Sequence, residues 1–204
     1  MRCATIILLS LLGLACATQP APQPLLSLSR QDCASVPAMS SAVQPDWTKK
    51  NEAVVDFNAT SPCLSDTVSA RPFAVVALPA AAENYSILVG SNVMNNIMLP
   101  LKVEFLDEAG VPTRAIEGSK FTFRSNQLAV QVRGHAGEHF VLITSDPELV
   151  GQTMKQVRMR VANSGVALPG GYVPILTGVD QAMNLTFAHN GRVFVMIEPL
   201  TPAK

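Results

Sequence analysis

Three histidines and a few acidic residues are the side chains of this sequence that could bind a metal or transfer a proton. His135 and His139 are four residues apart, a spacing that puts two imidazoles on one face of a helix, where they can share a metal ion. Gly134 and Gly137 interrupt the pair, however, and they predict a turn instead of a helix. We therefore interpret both histidines as residues of a surface turn, and we predict no metal site and no cofactor.

Nucleophilic catalysis needs a serine or cysteine beside a base, an orienting acid and donors for an oxyanion. The sequence contains no Gly-x-Ser-x-Gly motif and no phosphate-binding glycine loop. Asp107 and Glu108 are adjacent in a predicted turn, whereas the two carboxylates of a glycosidase face each other across a cleft. We predict no catalytic residue and a non-enzymatic protein. A hydrolytic site assembled in space around His135, His139 or His189 stays open as a third hypothesis.

The first sixteen residues, MRCATIILLSLLGLAC, predict export. A basic start precedes an apolar run at 6–12 that is shorter than the roughly 20 residues a membrane-spanning helix needs. The run ends at a small residue before Cys16, which resembles a bacterial lipobox, so cleavage there would leave a lipid-anchored N-terminus. Cleavage after Ala17 is the alternative and would release a soluble protein. We predict a periplasmic protein anchored to the outer membrane through a lipid on Cys16.

The remaining cysteines indicate a disulfide. Cys3 lies in the signal peptide, and a lipidated Cys16 would leave only Cys33 and Cys63. An even number of cysteines in an oxidising compartment predicts one bridge, and closing a loop of this length stabilises the fold by roughly 3 kcal/mol. Two unpaired thiols are the alternative.

Composition limits the classes of partner. The chain has 15 basic and 15 acidic residues among 204, so it lacks the basic face that nucleic-acid binding requires. Hydrophobic residues make up 48% of the chain, which is enough for a substantial core. We predict a signal peptide at 1–16, a Pro-rich tether and lead-in at 17–45, and a single β-rich domain at 46–204.

Short alternating segments predict strands throughout that domain, and we assign a mainly β fold, an antiparallel β-sandwich-like domain. Strands are predicted at 53–57, 71–78, 85–91, 101–106, 121–124, 127–133 and 139–144. The last of these is apolar on both faces, which is typical of a central strand. Trp47 is either a sugar-stacking platform or a partly buried rim residue, and we favour the rim.

One α-helix is predicted at about 146–161. Ser145 or Asp146 would cap it, Pro147 suits its first turn, and Glu148 suits its positive end. Residues 166–179 are rich in proline and glycine and are interpreted as a connection. Asn190-Gly191 predicts a tight hairpin between strands at 183–189 and 192–198.

Three segments carry a family resemblance: KVEFLDEAGVPTR at 102–114, FTF at 121–123 and HFVLITSDPEL at 139–149. In their order, and over about residues 70–200, they resemble the maltose operon periplasmic protein family. The resemblance implies an exported accessory protein linked to carbohydrate transport, with a carbohydrate or an envelope protein as partner. Its motifs are structural, so it assigns no site residue. The alternative is a structural envelope lipoprotein that acts as a protein–protein docking domain.

Overall fold

The computed structural model describes residues 25–67, 69–169 and 171–200. The predicted signal peptide, the lipid attachment site at Cys16 and the first part of the tether lie outside the described residues. Over the described residues the chain is mainly β, and its antiparallel sheets pack as a sandwich-like domain, which confirms the predicted fold class. No helix within the described ranges is long and apolar enough to cross a membrane.

Two five-stranded antiparallel sheets form the body of the molecule. The first sheet contains, in order across it, β1 (Glu52–Phe57), β13 (Gly191–Pro199), β4 (Tyr85–Asn92), β9 (Gln127–Arg133) and β8 (Thr122–Arg124). The second contains β2 (Cys63–Ser65), β3 (Ala70–Ala77), β10 (Phe140–Ser145), β6 (Leu101–Leu106) and β7 (Pro112–Ile116). The central position of β10 between β3 and β6 explains its continuous apolar sequence.

The main core lies between the two sheets. The second sheet supplies Phe105 and Ile143, and the first supplies Ile87 and Val195, all of them buried. Gly90 on β4 faces the other side of the first sheet, where a β-carbon would lie 2.5 Å from the ring of Phe194. Side chains of alternate residues therefore point into the core, as the period of two in these strands predicts.

The lead-in before β1 covers the outer face of the second sheet. Met39 and Ala42 pack against a cluster that includes Phe73 and Leu142. Val43 pairs with β3 through Val76, extending the edge of the sheet. This contact gives the outer face of the second sheet a hydrophobic cover of its own.

A disulfide fastens this lead-in to the body. Cys33 and Cys63 are bonded, with their α-carbons 4.8 Å apart, so the predicted bridge is confirmed.

Trp47 lies at the edge of the main core and donates a hydrogen bond from Nε1 to the Ala77 carbonyl over 3.0 Å. It is a half-buried rim residue, as favoured from the sequence.

A third sheet consists of a long hairpin and one short strand. It contains β11 (Thr153–Leu168), β12 (Gly171–Phe187) and β5 (Ile97–Met98). β11 and β12 pair along their whole length, whereas β12 pairs with β5 only at Thr186 and Phe187. We call this hairpin the β11–β12 arm. Its base packs on the body through Leu185 and Phe187.

The predicted helix at about 146–161 is wrong, because this stretch forms a turn and then the first half of β11. The side chain of Asp146 accepts a hydrogen bond from the Glu148 amide, which is the bond expected of a helix cap. The chain makes only one turn, since Gly151 adopts a positive φ of 87° and β11 starts at Thr153. A capping signal is shared by helices and isolated turns, and here it starts a turn.

Two further predictions about the C-terminal region are wrong. Residues 166–179 are not an irregular connection, because they complete the two strands of the arm. Asn190-Gly191 does not join a hairpin either. β12 ends at Phe187 in the third sheet, whereas β13 pairs with β1 and β4 in the first. The turn residues therefore carry the chain from one sheet to another.

Candidate functional site

A pocket of about 700 Å³ lies at one end of the second sheet, and we call it the end pocket. β3 and β6 begin at this end, and β7 and β10 finish there, because neighbouring strands are antiparallel. Four chain segments that are distant in sequence therefore meet around one cavity. Its volume lies within the roughly 300–1,000 Å³ range of small-molecule sites.

The walls of the end pocket are strongly charged. Four carboxylates and two cations line it: Asp66, Arg71, Lys102, Glu117, Asp146 and Glu148. Arg71 donates from Nη1 to Asp66 over 2.9 Å, and Lys102 lies 3.6 Å from Glu104. The carboxylates outnumber the cations, so the pocket has an excess of hydrogen-bond acceptors and of negative charge.

The loop after β10 forms one wall of the end pocket. The Asp146 amide donates to the Pro100 carbonyl over 2.8 Å, which ties the loop to the start of β6. The bond from the Glu148 amide to Asp146 Oδ1 fixes the shape of the turn. The wall is therefore held by one backbone hydrogen bond and one hydrogen bond to a side chain.

One donor of the Arg71 side chain is shielded from solvent and unpaired. Its Nε atom is buried and has no hydrogen-bond partner among the described residues. Leaving a buried donor unsatisfied costs about 1–3 kcal/mol.

Ser145, the neighbour of Asp146, points away from the end pocket and into the core. Its Oγ atom lies 2.6 Å from Nδ1 of His189. Burial lowers the pKa of His189 below its usual 6.5, so the neutral ring is favoured. This pair of a serine and a base is the arrangement from which nucleophilic catalysis starts. The Ser145 side chain is fully buried, however, so a substrate carbonyl has no access to Oγ in this structure.

His135 and His139 lie in the predicted turn between β9 and β10, and both are exposed. The turn is organised by Glu138, which accepts hydrogen bonds from the His135 amide and from Arg114 on β7. Arg114 also lies over the ring of Phe105, 4.2 Å from its centroid. The side chain of Glu138 is only 1% exposed, so this ion pair is a buried clasp between the turn and the second sheet. Within residues 25–67, 69–169 and 171–200, no three His, Cys, Asp or Glu side chains are placed to hold a metal ion.

The residues of the end pocket were not recognisable as a site from the sequence. Arg71, Lys102 and Asp146 lie at the ends of three different strands, at no characteristic spacing. The one available signal is that charged residues stand where predicted strands begin or end. That signal is common to most β proteins, so only the folded chain shows which of these positions meet.

Comparisons with known proteins add no assignment. No protein-family model matches the sequence. No curated protein sequence is significantly similar to it.

Proposed function

We propose that this protein is an exported, non-enzymatic accessory protein of the bacterial periplasm that binds a neutral carbohydrate in the end pocket. The observation that carries the proposal is the composition of the pocket wall, in which four carboxylates and two cations surround one cavity. The resemblance to the maltose operon periplasmic protein family supplies the link to carbohydrate transport.

A neutral polyhydroxylated ligand suits these walls for a simple reason. Each sugar hydroxyl donates one hydrogen bond and accepts others, so it pairs with carboxylates as donor and with Arg71 and Lys102 as acceptor. Hydrogen bonds to charged groups contribute about 1.5–3 kcal/mol each. A uronate or a sugar phosphate would bring negative charge to a pocket that already has an excess of it, and we expect such ligands to bind more weakly.

Export is supported by the disulfide and by the N-terminal sequence. A bond between Cys33 and Cys63 persists in oxidising compartments and is rare in the cytosol. The signal-like segment and the lipobox-like Cys16 lie outside the described residues, and they keep the role assigned from the sequence. We propose a lipid on Cys16 that holds the protein at the outer membrane, with the chain between Cys16 and the body as a tether.

Titration calorimetry of the mature protein tests the carbohydrate proposal. Maltose and maltotriose should bind, and a uronate-containing oligosaccharide should bind more weakly. Asp146→Asn keeps the Oδ1 acceptor for the Glu148 amide but removes a negative charge, and it should raise Kd about tenfold. Asp56→Asn is the matched control, because Asp56 is a surface carboxylate of the first sheet paired with Arg192. Absence of heat with neutral and acidic glycans alike would refute this function.

A second candidate function is docking on another protein of the envelope, and the β11–β12 arm favours it. The two strands of this hairpin have 16 and 17 residues, and the hairpin pairs with the body only at its base. A long hairpin of this kind is suited to binding another protein. Co-purification from detergent extracts distinguishes the two functions. A partner lost on shortening the arm supports docking, whereas a partner retained without the arm argues against it.

A further inference from the structure

β11 has one edge that is open along its whole length. In the sheet order β11-β12-β5, β11 is the outermost strand, and no other strand of the described chain pairs with that edge. Open strand edges present unpaired amides and carbonyls, and they are templates for pairing with another chain.

The outer half of the arm also lacks the residues that normally protect an edge. Residues 161–179 contain no Asp, Glu, Lys, Arg or His. The β11 part of this stretch, residues 161–168, contains no proline either. Proteins that avoid edge-to-edge association place charges, prolines or bulges on such strands. This edge has the composition of a pairing surface.

The described residues in and beside this part of the arm are open to solvent. Val157, which precedes it on β11, is 66% exposed. No atom of the described chain lies within 4 Å of where a β-carbon would stand on Gly171 or Gly178, apart from the immediate neighbours in sequence. A two-stranded ribbon is marginally stable in water by itself, and it gains stability when a further strand is added. The arm therefore benefits from a partner strand.

We propose that this partner is a second copy of the chain, and that residues 161–168 of β11 in the two copies pair antiparallel about a twofold axis. The product is a four-stranded sheet in the order β12-β11-β11-β12. The inference goes beyond the docking role proposed above, because the partner is a second copy of the chain and not another envelope protein, and it does not depend on a ligand in the end pocket.

Two features favour β11 over β12 as the pairing edge. Pro174 in β12 has no amide hydrogen to donate to a neighbouring strand. The base of the same strand is already paired with β5 at Thr186 and Phe187. β11 has neither restriction over 161–168, and a pair of identical edges closes into the C2 arrangement that is commonest among oligomers.

The distribution of charge favours the antiparallel orientation. Lys155, Arg158 and Arg160 precede the uncharged part of β11. A parallel pair would set each of these cations beside its own copy, which is destabilising. An antiparallel pair centred on Ser164 places Arg160 beside Leu168 of the second copy. The two copies of Arg160 are then about 26 Å apart, beyond the roughly 8 Å range over which charges interact at physiological salt.

Sedimentation velocity on the mature protein, measured over a wide range of concentration, tests the proposal. The wild-type chain should show a monomer–dimer equilibrium. Ser164→Lys puts two like charges at the centre of the strand pair and should raise the dimer Kd about tenfold or more. Ser164→Glu should do the same, and an equimolar mixture of the two variants should restore the dimer because opposite charges then meet.

Ile175→Lys is the matched control, because residue 175 pairs with residue 164 inside the hairpin and lies on the other strand. It should leave the dimer Kd within about twofold of wild type. Unchanged thermal unfolding of the body in all variants verifies that they fold. A monomeric wild type would overturn the proposal. So would a dimer weakened by Ile175→Lys and not by Ser164→Lys. Flotation of a monomeric wild type with phosphatidylethanolamine and phosphatidylglycerol vesicles would identify lipid as the occupant instead.

Discussion

The body and the β11–β12 arm are both antiparallel, but their strands are supported differently. In the body, the two sheets bury a shared core, and the lead-in covers the outer face of the second sheet. In the arm, two strands pair with each other, and the described side chains that pack on the body lie at its base, around Leu185 and Phe187. Burial of apolar area is the main stabilising term in folding. The body therefore has its own source of stability, whereas the described contacts of the arm with the body are confined to its base.

The two proposed functions fall on the two sides of this difference. The end pocket lies at strand ends of the body, close to its buried core. The arm has few described contacts with the body, which is typical of segments that open locally. Substitutions should accordingly affect global unfolding when they fall in the body, and association when they fall in the arm.

The largest contrast is expected from removing side-chain volume. Phe105 on β6 is fully buried in the main core. Phe105→Ala should lower the free energy of unfolding by about 4 kcal/mol, through lost burial and the cavity that remains. Val157→Ala, at an exposed position of the arm, should change it by less than about 0.5 kcal/mol. Chemical denaturation measures both values, and a large effect at Val157 would show that the arm is part of the cooperative core.

Removal of the disulfide should have the next largest effect. Replacing Cys33 and Cys63 together by alanine frees a loop with a sequence separation of 30 residues. The free energy of unfolding should fall by about 3 kcal/mol, since the unfolded chain gains entropy. Denaturation of the double variant checks this value, and the dimer Kd should be unchanged. A loss of association would mean that the lead-in supports the arm.

A smaller loss is expected from the clasp formed by Arg114 and Glu138. Glu138→Gln keeps the size of the side chain but removes the charge that pairs with the guanidinium. We expect a loss of about 2 kcal/mol, below the 3–5 kcal/mol of a fully buried pair because Arg114 is 22% exposed. Asp56→Asn breaks a solvent-exposed pair with Arg192 and should cost less than about 1 kcal/mol. Equal losses in the two variants would contradict the buried character of the clasp.

The smallest predicted effect is a pH dependence. Burial lowers the pKa of His189 below 6.5, so the unfolded chain takes up a proton before the folded chain does as pH falls. Stability should therefore decrease as pH falls through about 6.5 towards the lower pKa of the folded state. His189→Gln should reduce the change in the thermal unfolding midpoint between about pH 7.5 and pH 5.5. The hydrogen bond with Arg192 lowers the pKa of Asp56 below its usual 3.8, so Asp56 affects stability only at pH values near and below 3.8. This pH range does not overlap with that of His189. If the midpoint of the variant depends on pH as strongly as that of the wild type, another group is responsible for the dependence.

The sequence predicts the body well for a physical reason. Strands such as β6 and β9 alternate apolar and polar residues because one face of each is buried. The composition of β10 predicts a central strand because both of its faces are covered. The first half of β11 is mispredicted because the residues at 145–148 have the types of a helix cap. In the structure these residues form a single turn.

The end pocket could not be predicted for a different reason. Strand order brings together residues such as Arg71 and Asp146, and strand order depends on long-range pairing that no local pattern encodes. The same limit applies to Ser145 and His189, whose contact joins the end of β10 to the loop after β12. The disulfide was predictable because counting the cysteines left a single pair.

Hydrogen exchange of the whole mature protein at low and high concentration tests the contrast between body and arm most directly. We predict strong, concentration-independent protection of amides in β3 and β10. Protection of residues 161–168 in β11 should be weak at low concentration and rise as the protein associates. Protection of 161–168 that equals that of β10 at every concentration would contradict the account, because the arm would then be stable without a partner.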